Sequence, residues 1–168
     1  MNKLHALLVS LVLLVAPSLA DAKREPPLTE EELSVVQVYE APGFTADAIH
    51  AGAKRWIAES FRSAEAVIEY EDKGTIIGNG NITIDPPMER GVSYYSVYRG
   101  RVGFKMKVEA KDSRLRVSFT NVRLLFRGAL GNDIVPQRRG DMDNIRARLL
   151  EFGPKIVASL DKAKTDEW

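Results

Sequence analysis

The most regular stretch of the chain is residues 101–119, where apolar and polar side chains alternate. Val102, Phe104, Met106, Val108 and Ala110 share one parity, while Arg101, Lys105, Lys107 and Glu109 take the other. Successive side chains of a strand point to opposite faces, so this spacing predicts a strand with one apolar and one charged face. A turn at Asp112-Ser113 returns the chain as Leu115, Val117 and Phe119 against Arg114, Arg116, Ser118 and Thr120. The pair predicts an antiparallel hairpin that buries one side and wets the other. Beyond it the apolar parity slips to Val122, Leu124 and Phe126, which calls for a bulge near Thr120-Asn121.

The flanking segments add the other elements. Residues 33–39 are β-branched and aromatic, with Val36 and Val38 on one face and Val35 on the other, until Pro42-Gly43 interrupts them. Thr45 is placed to cap a helix whose apolar stripe is Ile49, Ala53, Trp56, Ile57, Phe61 and Ala64; Asp47 complements its positive end, and Phe44 is placed to staple onto Ile49. After Ala64 the period falls to 2. Ala66, Ile68 and Tyr70 share one parity, 71–74 supply a turn, and Ile76, Ile82 and Ile84 share the next parity, which predicts a first hairpin. Gly78-Asn79-Gly80 within it signals a bulge or a close backbone approach. Asp85-Pro86-Pro87 ends the run, and residues 92–98, with Tyr94, Tyr95 and Tyr98, lead into the long hairpin. Asp141 is placed to cap a last helix with core positions Ile145, Leu149, Phe152, Ile156 and Leu160. Pro154 forces that helix to kink, or to restart with proline in its first turn.

The order is β-α-β-β-β-β-α, an α+β fold with a single antiparallel sheet and two helices packed on one face. Trp56, Phe61, Phe104, Val117, Phe119 and Leu149 are expected in one core.

The amino terminus changes the picture of where this domain works. Lys3 and His5 precede an apolar run over residues 6–15, followed by Ala16-Pro17-Ser18-Leu19-Ala20-Asp21-Ala22. This is a secretory signal pattern, with cleavage after Ala20 or, on the alternative spacing of small residues, after Ala22. The run is short of the ~20 residues that span a bilayer, so no transmembrane segment is expected in the mature chain. The chain divides into a signal peptide (1–20), an extended leader with Pro26-Pro27 (21–32), one α+β domain (33–163) and a frayed tail (164–168). Export to the periplasm or the extracellular space follows.

Composition narrows the chemistry. There are no cysteines, which excludes disulfides, thiolate nucleophiles, Cys-based zinc sites and the acylated cysteine of a lipoprotein. Lys+Arg of 24 against Asp+Glu of 23 gives a formal charge of +1, without the basic excess of a nucleic-acid-binding domain. Gly78-Asn79-Gly80 continues as strand and offers no helix N-terminus to a phosphate. His50 stands alone near a helix start and reads as a solvated side chain, while Glu69, Glu71 and Asp72 read as turn acids. Ser93 has neither a nucleophile elbow nor a histidine to activate it. Arg139-Gly140-Asp141 reads as a helix cap and Asn81-Ile82-Thr83 as strand. No cofactor, metal or catalytic constellation is indicated, so the chain is not expected to be an enzyme.

Three pieces in this order carry a family resemblance. They are Pro42-Gly43-Phe44 ahead of the helix Lys54-Arg55-Trp56-Ile57-Ala58-Glu59-Ser60-Phe61; then the hairpin from Val67-Ile68-Glu69-Tyr70 through Gly74 to Gly78-Asn79-Gly80; then Val102-Gly103-Phe104 through Lys111-Asp112-Ser113 to Arg116. Together they resemble DUF4468, a bacterial domain of unknown function, over roughly residues 35–126. The resemblance implies a TATA-binding-protein-like fold, a curved antiparallel sheet with helices on one side, and an exported envelope protein. Members are often lipoproteins, and this chain departs from them in lacking the lipobox cysteine.

Two function classes follow, with an enzyme of unrecognised site as a third. The first is a non-catalytic binding or interaction module of the cell envelope. The second is a carrier of a small hydrophobic or lipid ligand between helix and sheet, since an apolar pocket needs few marker residues. The candidate binding residues are Arg101, Lys105, Lys107, Arg114 and Arg116, opposed on their face only by Glu109. They suit an acidic envelope protein, peptidoglycan or an anionic lipid; nucleic acid is not expected.

Overall fold

Strands and helices follow one another as β1 (Val35–Glu40), α1 (Ala46–Ser60), β2 (Ile68–Asp72), β3 (Thr75–Thr83), β4 (Arg101–Lys111), β5 (Arg114–Leu124), α2 (Arg139–Leu150) and α3 (Phe152–Thr165). This is the computed structural model, and it describes residues 26–61, 67–84, 101–125 and 133–165. The strands form one antiparallel sheet in the order β1-β5-β4-β3-β2. Sequence and space therefore coincide, except that β1 crosses over through α1 to lie beside β5. The signal and cleavage residues Ala20 and Ala22, the tyrosine-bearing residues 92–98, Ala64, Ala66 and Phe126 lie outside the described residues.

The alternation in β4 and β5 decides which face is covered. Val102, Phe104, Met106, Val108, Leu115, Val117 and Phe119 are buried, together with Val35 and Ile76, under Ile49, Ala53, Trp56 and Ile57 of α1 and Ile145, Leu149, Ile156 and Leu160 of α2 and α3. The bulge predicted near Thr120-Asn121 is present. Gly103 pairs with Arg123 while Lys105 pairs with Thr120, leaving one extra residue in β5, and Asn121 takes a left-handed φ of 50°. That extra residue returns Val122 and Leu124 to the core. Gly80 lies under the rings of Phe104 and Phe61, a close approach that a larger residue would block. The irregularity between β2 and β3 sits on the facing strand, between Ile68 and Tyr70, so the glycines serve the close approach and Glu69 forms the bulge.

Among the described residues, five rings seal the helix–sheet interface. Phe152 meets Trp56 at 5.1 Å, Phe119 at 5.5 Å, Phe104 at 5.9 Å and Phe61 at 6.1 Å, all edge-on. Edge-to-face geometry adds to simple burial because ring edges and faces carry opposite partial charge.

Several helix and loop ends differ from the sequence pattern. Thr45 caps α1 as its position suggests, accepting from Ala48 N at 3.3 Å. Asp141 is not a cap: α2 starts three residues earlier than such a cap would allow, at Arg139 behind Arg138, and Asp141 is buried in the first turn, where a carboxylate complements the helix dipole. The last helical pattern restarts at Phe152 with Pro154 in its first turn, and α3 runs on to Thr165. The described residues of the leader are not extended throughout. Thr29 N donates to Glu32 Oε2 at 2.8 Å and Glu32 N to Thr29 Oγ1 at 3.2 Å, a reciprocal capping turn. Arg139 and Arg146 then tie Glu32 to α2, and Leu28 and Leu33 pack against the core.

Candidate functional site

The tip of the β4–β5 hairpin is fixed by the start of α1. Ser113 takes a left-handed φ of 61° in a two-residue turn; its N–H donates to Phe44 O at 2.9 Å, and its carbonyl accepts from Ala41 N at 2.9 Å. Asp112 Oδ1 accepts from Ala46 N at 2.8 Å and satisfies one of the open donors of α1. The residues on either side of this turn, Lys111 and Arg114, are therefore held directly opposite each other across the hairpin.

All five predicted cations are on the uncovered face, but their surroundings differ. Lys105 Nζ sits 2.9 Å from Glu69 Oε2, and Asn79 donates to the other oxygen of that carboxylate. The hydrogen bond from Lys105 holds the Glu69 carboxyl below its ordinary range. Lys107 Nζ lies 2.9 Å from Glu109 Oε1 and Arg116 reaches Glu109 Oε2 at 2.5 Å. Burial pushes the Glu109 carboxyl up, but the hydrogen bonds from Lys107 and Arg116 outweigh it and leave the carboxyl below its ordinary range. Arg101 donates to Asn81 Oδ1 at 3.2 Å. The patch is thus not opposed by Glu109 alone: Glu69, read as a turn acid, belongs to the same face because the β2 bulge places it beside Lys105.

Arg114 differs from the other four. Among the described residues neither it nor Lys111 forms an ion pair or a side-chain hydrogen bond, whereas Arg101 has at least its bond to Asn81. Two like charges directly opposite in a hairpin are destabilising; Glu40, directly opposite Arg114 on β1, offsets this through its position, but forms no ion pair among the described residues. Lys111, Arg114 and Arg116, with Val38 and Glu109, line an open depression of about 210 Å³. Sequence reasoning omitted Lys111 from the site. Its parity, which matches Lys105 and Lys107, was the signal that could have found it.

The other candidates resolve otherwise. His50 is not a solvated side chain: its Nε2 is buried without a hydrogen-bond partner, 3.8 Å from Glu71 Oε1. Glu71 pairs with Lys54 of α1 at 2.9 Å, and Asp72 accepts from Lys73 N at 2.7 Å, the turn chemistry anticipated for it. Among the described residues no three His, Cys, Asp or Glu side chains cluster as metal ligands, and no helix is long and apolar enough to cross a membrane. A larger groove of about 670 Å³ runs between Glu30–Ser34, the β5 bulge and Val135, and none of the predicted cations lines it.

Similar proteins place this arrangement in context. No curated protein matches the sequence. The fold is similar to that of a DUF4468 family protein from Bacteroides ovatus ATCC 8483, at 17% identity and a TM-score of 0.51, covering 82% of this chain and 88% of that one. It is also similar to a TBP-like protein from Parabacteroides distasonis ATCC 8503, at 7% identity and a TM-score of 0.57, covering 80% and 96%. At such identities the likeness concerns the fold alone. The sequence pattern of a domain of unknown function with a TBP-like fold matches residues 36–124, from β1 through β5. The chain belongs to the DUF4468 family.

Proposed function

We propose that the chain is an exported, non-catalytic interaction module of the bacterial cell envelope, and that it receives an anionic partner on the uncovered sheet face at the hairpin tip. The observation that carries this reading is the opposed pair Lys111 and Arg114 at the rim of the depression, neither of which forms an ion pair among the described residues. A like-charge pair held in register by the backbone is a standing cost, and an incoming carboxylate or phosphate relieves it. Lys105, Lys107 and Arg116 already have carboxylate partners and act as the flanking field. Export is supported by the apolar run at 6–15 and the small residues before Ala20 and Ala22. Amino-terminal sequencing of released protein should then begin at Asp21 or Lys23, and a Met1 start in washed membranes means an uncleaved anchor instead.

The ring-filled helix–sheet interface favours this reading over a lipid carrier, because Trp56, Phe104, Phe119 and Phe152 occupy the space a ligand would need. Co-sedimentation with purified peptidoglycan, with anionic vesicles and with neutral vesicles tests the proposal and separates its sources of anion. Retention on one anionic support should fall with salt and be lost in a Lys111→Glu/Arg114→Glu double variant of unchanged circular dichroism. Equal retention of the double variant contradicts it.

A further inference from the structure

The two edges of the sheet are built differently. The β2 edge carries a bulge at Glu69 and the acids Glu71 and Asp72, devices that discourage pairing with another strand. The β1 edge, Val-Val-Gln-Val-Tyr-Glu, has no proline and no lysine, and it pairs with β5 without a register break from Val35 to Glu40. Val36 and Val38 stand 56% and 47% exposed on its outer side, and the one other exposed large apolar residue described, Tyr70, lies on the opposite edge strand.

The direction of the free backbone groups follows from the ladder. Ala41 N donates to Ser113 O at the end of the β1–β5 pairing. Antiparallel bonding alternates residue by residue, so residues 39, 37 and 35 turn their N–H and C=O to β5, and Val36, Val38 and Glu40 turn theirs outward. The Gln37 side chain donates to Val38 O at 3.3 Å, which agrees with that carbonyl being outside the ladder.

We infer that β1 is the pairing edge for a second copy of this chain, joined antiparallel about a two-fold axis at Gln37. An antiparallel self-pair must match residues of equal parity. Centring on Gln37 sets Val36 opposite the Val38 of the other copy on the outer face and Val35 opposite Tyr39 on the inner face, and bonds the outward groups of 36 to those of 38. Every pair is neutral, and the two exposed valines cover each other. Centring on Val38 instead sets Val36 opposite Glu40 and wastes the match. A C2 interface needs one patch complementary to itself, and this six-residue strand meets that condition most fully in the Gln37 register, since centring on Val36 would leave Val38 opposite Ser34. The inference rests on the outward backbone groups of β1 and not on the anion reading, although Val38 also borders the depression and Arg114 stands on the neighbouring strand β5.

The chain has no cysteine, which makes the register directly measurable. Gln37→Cys would face its own copy at a non-hydrogen-bonded position, where Cα atoms are about 4.5 Å apart and within disulfide reach. Under mild oxidation the purified Gln37→Cys chain should convert to a covalent dimer at a rate at least tenfold above Val36→Cys and Val38→Cys. Sedimentation of the unmodified chain should show a two-chain mass that Val36→Lys/Val38→Lys converts to one, with unchanged circular dichroism. A one-chain mass at every concentration overturns the inference, as does a dimer that survives the double lysine variant. Faster cross-linking through Val38→Cys overturns the register.

Discussion

Gly153 lies against the ring of Tyr39, so closely that a methyl group at 153 would overlap it, and the Tyr39 hydroxyl donates to Leu150 O at 2.9 Å. One side chain of β1 thus occupies the break between α2 and α3, and it satisfies a carbonyl left open at the end of α2. The helix break is held by the sheet edge as well as by Pro154.

Gly153→Ala should therefore destabilise the fold by about 1–3 kcal/mol, the cost of overpacking a filled site. Tyr39→Phe, which keeps the ring and deletes only the donor, should cost about 1 kcal/mol. Urea denaturation followed by tryptophan fluorescence measures both. A Gly153→Ala chain as stable as the parent would mean that the ring moves aside freely.

Trp56 joins α1 to Phe152 and Phe61 at centroid distances of 5.1 and 6.2 Å. Truncation to alanine removes the ring and leaves a cavity, at a cost of about 3–5 kcal/mol. Thermal unfolding of Trp56→Ala by circular dichroism checks this, and an unchanged midpoint would remove the ring from the core.

Acid should weaken the fold through its paired carboxylates. The carboxyl groups of Glu32, Glu69, Glu109 and Glu151 are all held below their ordinary range: Glu32 by the Thr29 backbone N–H, Glu69 by Lys105, Glu109 by Lys107 and Arg116 against the opposing effect of burial, and Glu151 by Lys155 and Arg148. A carboxyl depressed in the folded state takes up its proton first in the unfolded chain. Its contribution is complete above the unfolded pKa, near 4.3 for a glutamate, and is lost as pH falls through the folded value. The urea midpoint should hold steady from about pH 7 to pH 5 and decline below about pH 4.5. A Glu109→Gln chain should show a shallower decline; a midpoint that rises on acidification contradicts the assignment.

What was legible in the sequence depended on range. The β4–β5 hairpin, its bulge at Asn121 and its buried parity are local period-2 signals, and the structure carries them residue for residue. The antiparallel sheet with helices on one face followed from element order. The neutralisation of Lys105 was not legible. It depends on β2 lying beside β3, β3 beside β4, and a bulge that no local pattern marks at Glu69. Asp141 misled because an acid before a helical stripe looks like a cap, whereas α2 starts at Arg139 and takes Asp141, itself buried, into its first turn. His50 misled because a lone polar residue on a helix gives no sign of the strand that will cover it.

A partner bound to the charged sheet face at the hairpin tip, as proposed, leaves the helical side uncontacted. Site-specific photo-cross-linking in the producing cells tests this most directly, with the photoreactive residue at Lys107, beside the depression, and at Lys155, on the exposed surface of α3. Adducts to an envelope component are expected from position 107, with none above background from 155. Adducts from 155 with none from 107 would contradict it.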